Sequence, residues 1–234
     1  MYIFYLVSLI IGLVLYCLLI FLMKYFKHKN IVNLIFFFLI YICYWVVVIV
    51  AYIHNGLYDW NFLNTLPVAN VSPFMFGTLP IFYIFPKKVK PYYINLISLL
   101  SLGMLFSPIL SMVFNFSRHY SFHVTFLLDY IAHFAISLWG IYFVKSKQIT
   151  LKIRTSVIAG SLIIAVAIIM MVFNVIFDKS FFGLSLNGKH SIYNFRVTES
   201  SFLNAALYFI GLILILFGGY LYQFMLQRIY NKNK

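Results

Sequence analysis

Residues 2–23 carry no charged side chain, and comparable apolar runs recur at 31–53, 71–85, 92–114, 122–144, 155–177 and 202–225. A bilayer's hydrocarbon core, about 30 Å thick, is crossed by about 20 apolar residues in a helix. In lipid no water pairs with the backbone, so a crossing segment is either a helix or a strand of a closed barrel. Barrel strands alternate apolar and polar residues. These runs are continuous, so helices are predicted. Composition agrees: 64% of residues are hydrophobic and 9% charged, whereas a soluble domain is roughly half apolar and a quarter charged. The gaps between runs leave no room for a separate soluble domain. Residues 1–234 therefore read as a single all-α transmembrane domain, a multi-pass bundle of seven helices. The first run lacks a basic leader and a small-residue cleavage site, so it reads as a retained helix rather than a signal peptide. The third run is short and contains Pro73 and Pro80; it reads as a kinked or re-entrant crossing.

The charges test the count independently. Lys24, Lys27 and Lys29 follow the first run, and Lys87, Lys88 and Lys90 follow the third. Lys145, Lys147, Lys152 and Arg154 follow the fifth, and Arg228, Lys232 and Lys234 close the chain. These thirteen basic residues have no acidic residue among them. The intervening loops hold Asp59, Arg118, Asp178, Lys179, Lys189, Arg196 and Glu199. By the positive-inside rule the basic loops are cytoplasmic, which puts the N-terminus outside and the C-terminus inside. If the third run did not cross, Lys24–Lys29 and Lys87–Lys90 could not share a side. The net charge of +13 is thus a topology signal. Scattered over short loops beside apolar helices, it does not mark a nucleic-acid face. Membrane lipids are the expected partners.

Cys17 and Cys43 both fall inside apolar runs and form neither a disulfide framework nor a metal motif. Ionisable groups at membrane depth are costly and mark candidate sites, and the fifth run holds nearly all of them. At 100° per residue His119, His123, Asp129, Tyr130 and His133 share an arc of about 120°. Asp129 and His133 are an i,i+4 pair that can touch. A carboxylate beside an imidazole favours the imidazolium or fixes a neutral tautomer, as a base or proton relay requires. The same contact also serves as polar glue between helices. His119 and His123 lie about 9–21 Å of helical rise from Asp129 and His133, too far to share one metal ion. No cofactor is expected. Asn174 and Asn204 lie near the outer ends of the sixth and seventh runs. Ser98, Ser101, Ser107 and Ser111 dot the fourth, where Pro108 predicts a kink. Serines in such helices usually bond their own backbone. The polar segment 181–201 is long enough for a lid over an outward-facing cavity, or for an ordinary solvated loop. His54 and Asp59 read as interfacial.

Order and spacing then carry a resemblance. A short outer loop leads to Leu66-Pro67 at the mouth of the third run. The fifth carries Ile131-Ala132-His133, the sixth ends with Asn174 before a polar loop, and a last apolar run follows. From around Ile40 onward the sequence resembles the YwaF-like family of small bacterial integral membrane proteins. The resemblance implies a seven-helix fold in a bacterial plasma membrane. Related eukaryotic membrane proteins are acyltransferases that use a cysteine and a histidine to move fatty acyl chains on phospholipids. The family's histidine falls on His133. Its cysteine position, four residues past the proline of the Leu-Pro element, is Val71 here, and neither Cys17 nor Cys43 aligns with it. Ser72 and Thr65 are the hydroxyls near that mouth.

Three functional readings stay open. The first is a non-catalytic or diverged member of a lipid acyl-handling membrane family, working as an accessory subunit or in envelope assembly. The second is a membrane-embedded acyltransferase or lipid hydrolase, with His133 as base, Asp129 orienting it and Ser72 or Thr65 attacking. The third is a small transporter or channel. In either of the last two, His123, Tyr130, Asn174 and Asn204 would line the cavity.

Overall fold

The computed structural model describes residues 2–56, 63, 66–67, 70–113, 123–149, 151–177 and 201–232, and all regular structure among them is helical. Asp59, Thr65, Arg118, His119 and the candidate lid segment up to residue 200 lie outside the described residues, as does the side chain of His123. Helix α1 (Tyr2–Leu22) passes into a short 3-10 turn (Met23–Tyr25). There follow α2 (Lys29–Asn55), two short helices α3 (Val71–Gly77) and α4 (Ile81–Ile84), α5 (Lys90–Val113), α6 (His123–Lys145), α7 (Ile153–Phe177) and α8 (Ser201–Lys232). Among the described residues five helices, α1, α2, α6, α7 and α8, are long and apolar enough to cross a membrane.

Of these five, α6 is the least apolar and the most deeply set. About 72% of its span is buried, against 17–28% for the others. That arrangement follows from solvation: the helix that carries a carboxylate and an imidazole is the one that must be shielded from lipid. The outward faces of α1, α2, α7 and α8 are instead studded with exposed Leu, Ile, Val and Phe, as a lipid-facing surface requires.

The neighbours of α6 fall in order along it. Gly12 of α1 lies against Tyr130 and Phe134. Further along, Tyr16 bonds Ser137, and Lys145 reaches Ile20, so α1 and α6 run parallel. On the α2 side, Asn33 meets Trp139, while Val50 and His54 lie beside Val124 and Thr125, so α2 is antiparallel. On the α5 side, a methyl placed on Gly140 would sit 2.7 Å from Ser101 Cβ and 3.1 Å from the Ile97 carbonyl. Helix α8 crosses α5 at Gly219, where a methyl would overlap the Leu99 carbonyl. Small residues at such crossings let two backbones touch, which is how helices gain dispersion contacts without a hydrophobic driving force.

The third apolar run is two helices joined by a turn. Pro80 has no N–H to give, so the Phe76 carbonyl takes a longer bond from Leu79 N, at 3.4 Å. Thr78 Oγ1 donates to the Phe74 carbonyl at 2.7 Å and lies 3.0 Å from the Tyr93 hydroxyl. The broken backbone is therefore satisfied from within the protein. Phe76 packs on His133, and six residues later Phe82 packs on Trp139 and Phe143. The segment thus descends alongside α6 rather than doubling back. Helix α5 is continuous through Pro108.

Candidate functional site

The Asp129–His133 pair is formed, though the backbone plays the larger part in it. His133 Nδ1 lies 2.8 Å from the Asp129 carbonyl oxygen and 3.5 Å from the Asp129 carboxylate. A carbonyl only accepts, so the proton sits on Nδ1 and points at the helix's own backbone. The imidazole is about 5% exposed. Phe76 meets it edge to face, with ring centroids 4.9 Å apart, and is itself sealed in the core. The Asp129 carboxylate is the more open partner, a half-buried group one turn nearer the start of α6.

The other predicted site residues are dispersed around this pair. Tyr130 is buried, wedged between Phe126 and Phe134 and turned toward Gly12 of α1, whereas the imidazole turns toward α3. Its hydroxyl is buried without a partner among the described residues. Ser72 is half-buried in the first turn of α3, one turn above Phe76 on the same face. Phe76, rather than a hydroxyl, occupies the imidazole's flank. Asn174 is buried near the end of α7 and Asn204 half-buried near the start of α8, helices that pack chiefly on α5. Between the end of α2 and the start of α6 an open hollow of about 250 Å³ is lined by Val50, His54, Val124 and Thr125, and its walls are almost wholly apolar.

Three polar constellations were not singled out by the sequence. Between the start of α2 and the residues just past α6, Asn33 and Gln148 pair their amides, with Asn33 Nδ2 donating to Gln148 Oε1 at 2.6 Å. Trp139 Nε1 donates to Asn33 Oδ1 at 3.0 Å, and Gln148 Nε2 to Ser146 at 2.7 Å. Between α5 and α8, Gln223 Nε2 donates to Ser101 Oγ at 2.6 Å and to the Ser98 carbonyl at 3.2 Å. Ser98 Oγ in turn donates to the Gly140 carbonyl of α6 at 3.3 Å. Between α1 and α6, the Tyr16 and Ser137 hydroxyls lie 2.8 Å apart. The sequence had marked Ser98 and Ser101 only as serines of the fourth run, and Gln223 was visible as a lone amide near the end of the last one. Each constellation ties two or three helices together, and Asn33, Ser98, Ser101, Ser137 and Gln223 are all buried. In a low-dielectric interior such bonds between helices fix register and lock packing, although the Gln223 Oε1 is buried without a partner among the described residues. Among the described residues no group of three or more His, Cys, Asp or Glu could hold a metal ion. No protein-family model, no curated protein and no solved structure matches the chain, so its own residues carry the functional reading.

Proposed function

We propose that the chain is a seven-span protein of the bacterial plasma membrane, N-terminus outside and C-terminus inside, that works without catalysing a reaction, as an accessory or assembly factor among membrane lipids. The thirteen basic residues of the alternate loops support the orientation. The descent of α3 and α4 beside α6 supports a third crossing, and α5, antiparallel to α6, supplies a fourth. The observation that carries the non-catalytic reading is the setting of His133. Its Nδ1–H bond to a backbone carbonyl leaves Nε2 as the basic nitrogen, but the ring is buried and Phe76 closes one flank. A general base must reach the proton it takes, directly or through one water. On α3 it is Phe76, one turn from Ser72 on the same face, that meets the imidazole. The YwaF-like resemblance then stands for a diverged relative, consistent with Val71 at the cysteine position.

A double replacement tests this reading. Asp129→Leu or His133→Phe alone strands a polar partner and should lower protein level. The pair together, two apolar groups of similar size, should recover much of it. A non-catalytic protein then complements a deletion strain in proportion to its abundance. Normal abundance with a deletion-like phenotype would sink the reading in favour of a working site. The transporter reading has one observation in its favour, the break at Thr78–Pro80, since discontinuous helices line transport paths. Yet Thr78 is already bonded to Phe74 and Tyr93, which closes rather than opens that gap.

A further inference from the structure

We propose that two copies of the chain pair in the membrane along a stripe of leucines and glycines on α8, on the face that the fold leaves uncovered. Leu207, Gly211, Leu214, Gly218 and Leu221 repeat every seven residues, leucine with leucine and glycine with glycine. At 100° per residue they share an arc of about 80°. The residues that bury α8 in its own bundle, Leu212, Leu216, Gly219 and Gln223, lie on the far side of the helix. Leu207, Leu214 and Leu221 are instead 39%, 62% and 42% exposed.

The glycines carry the argument furthest. Glycine inside a helix costs up to about 1 kcal/mol relative to alanine, and elsewhere in the long helices the structure shows what it gains. A methyl on Gly12, Gly103, Gly140 or Gly219 would lie 2.8 Å or less from an atom of a neighbouring helix, and Gly160 is buried with Leu216 at 3.5 Å. Gly211 and Gly218 differ. Among the described residues nothing comes within 4 Å of a methyl on Gly211, and one on Gly218 would meet Leu102 at an ordinary contact distance, 3.7 Å. The space these two leave is used by no helix of the same protomer. In a membrane, small residues at a crossing let two backbones approach closely. Leucine at one seam position and glycine at the other give knobs and holes in alternation, and a seven-residue repeat is the period of a left-handed pair. The occupant that fits is a second copy. Copies inserted in the same sense bring their α8 helices together in parallel, and a two-fold axis sets each stripe against its own repeat. Leu207, Ile210, Leu214, Phe217, Leu221 and Met225 are all exposed and leave on the order of 100 Å² each to cover. A symmetric pair would bury on the order of 1,000 Å², the size at which a specific interface begins. The pairing depends neither on which side faces the cytoplasm nor on the setting of His133.

The test uses the full chain with Cys17 and Cys43 replaced by serine and alanine, carrying Lys234→Cys for a donor or acceptor dye, in phosphatidylcholine vesicles. Energy transfer between copies is followed as the protein-to-lipid ratio falls. The otherwise wild-type chain should show transfer with the stoichiometry of a pair, diluted out by unlabelled protein. Gly211→Leu enlarges a position that no other part of the protomer touches, and should weaken pairing roughly tenfold or more. Ile213→Ala changes a residue that is also exposed but about 100° round the helix from Leu214, and should leave pairing unchanged. Independently of the glycine, single cysteines at Leu207, Leu214 and Leu221 should each cross-link to their counterparts under mild oxidation, and Ile213→Cys should not. Absence of transfer would overturn the proposal and leave the stripe to lipid or to a helix of another protein. Undiminished pairing of Gly211→Leu, or cross-linking strongest at Ile213→Cys, would overturn it as well, because the copies would then meet elsewhere.

Discussion

Two glycines on α8 should respond to the same substitution with opposite signs. At Gly219 an added methyl would overlap the Leu99 carbonyl and crowd the Leu99 Cα at 3.3 Å. The obstacle is backbone, which no rotamer change can relieve, so α5 and α8 must move apart. Overpacking of this kind costs about 1–3 kcal/mol. Separation would also stretch the Gln223 bonds to Ser98 and Ser101, one turn away. At Gly211 a methyl meets nothing within 4 Å, and replacing a mid-helix glycine with alanine gains about 0.5–1 kcal/mol. Both sites share that gain, so Gly219→Ala should lie below Gly211→Ala in stability by the overpacking cost, roughly 1–3 kcal/mol. Reversible denaturation in mixed micelles, followed by tryptophan fluorescence, measures both variants against wild type. Equal stability of the two would refute the close α5–α8 crossing, and with it the placement of Gln223 in the core.

Substitutions at three further positions test the packing between the start of α2 and the end of α6. Asn33→Leu strands the Trp139 indole N–H and the Gln148 amide, and should cost about 2–5 kcal/mol in the same unfolding assay; Trp139→Phe, which removes one donor and leaves the amide pair, should cost less. Lys147 ends α6 at φ 55°, with its N–H and that of Gln148 bonded back to Val144 and Phe143. A left-handed residue there favours glycine, so Lys147→Gly should raise stability by about 1 kcal/mol while Lys147→Ala should not.

Much of this architecture could be read from the sequence because the bilayer demands continuous apolar stretches. Helix α7 (Ile153–Phe177) covers the apolar run 155–177, and α2 (Lys29–Asn55) covers 31–53. The Asp129–His133 contact was also legible, since i,i+4 spacing is local. What the sequence left hidden lies between elements distant in the chain. Pro80 signalled a disturbance, but not that Thr78 would bond the Phe74 carbonyl and reach the Tyr93 hydroxyl of α5 where one short helix ends and the next begins. Pro108 sent the same signal in α5, and the helix continues through it. Phe76 looks like one more apolar residue until its ring is found on His133. Asn33 and Gln148 sit at the ends of runs, where amides pass for loop residues, yet 115 positions apart they make one pair. Ser98 and Ser101 show both outcomes. Ser101 bonds its own backbone, as expected of serine in such a helix, whereas Ser98 bonds α6.

Everything in the proposed topology turns on whether the segment from α3 to α4 crosses the bilayer, because its crossing is what puts Lys24–Lys29 and Lys87–Lys90 on one side. The direct measurement is thiol accessibility in intact cells. Cys17 and Cys43 are first replaced by serine and alanine, and single cysteines are then introduced at Asn61, Lys88, Lys147 and Asn187. An impermeant maleimide should label Asn61→Cys and Asn187→Cys, and should reach Lys88→Cys and Lys147→Cys only after permeabilisation. Labelling of Asn61→Cys and Lys88→Cys from the same side would contradict a third crossing, and labelling of Lys147→Cys in intact cells would invert the orientation.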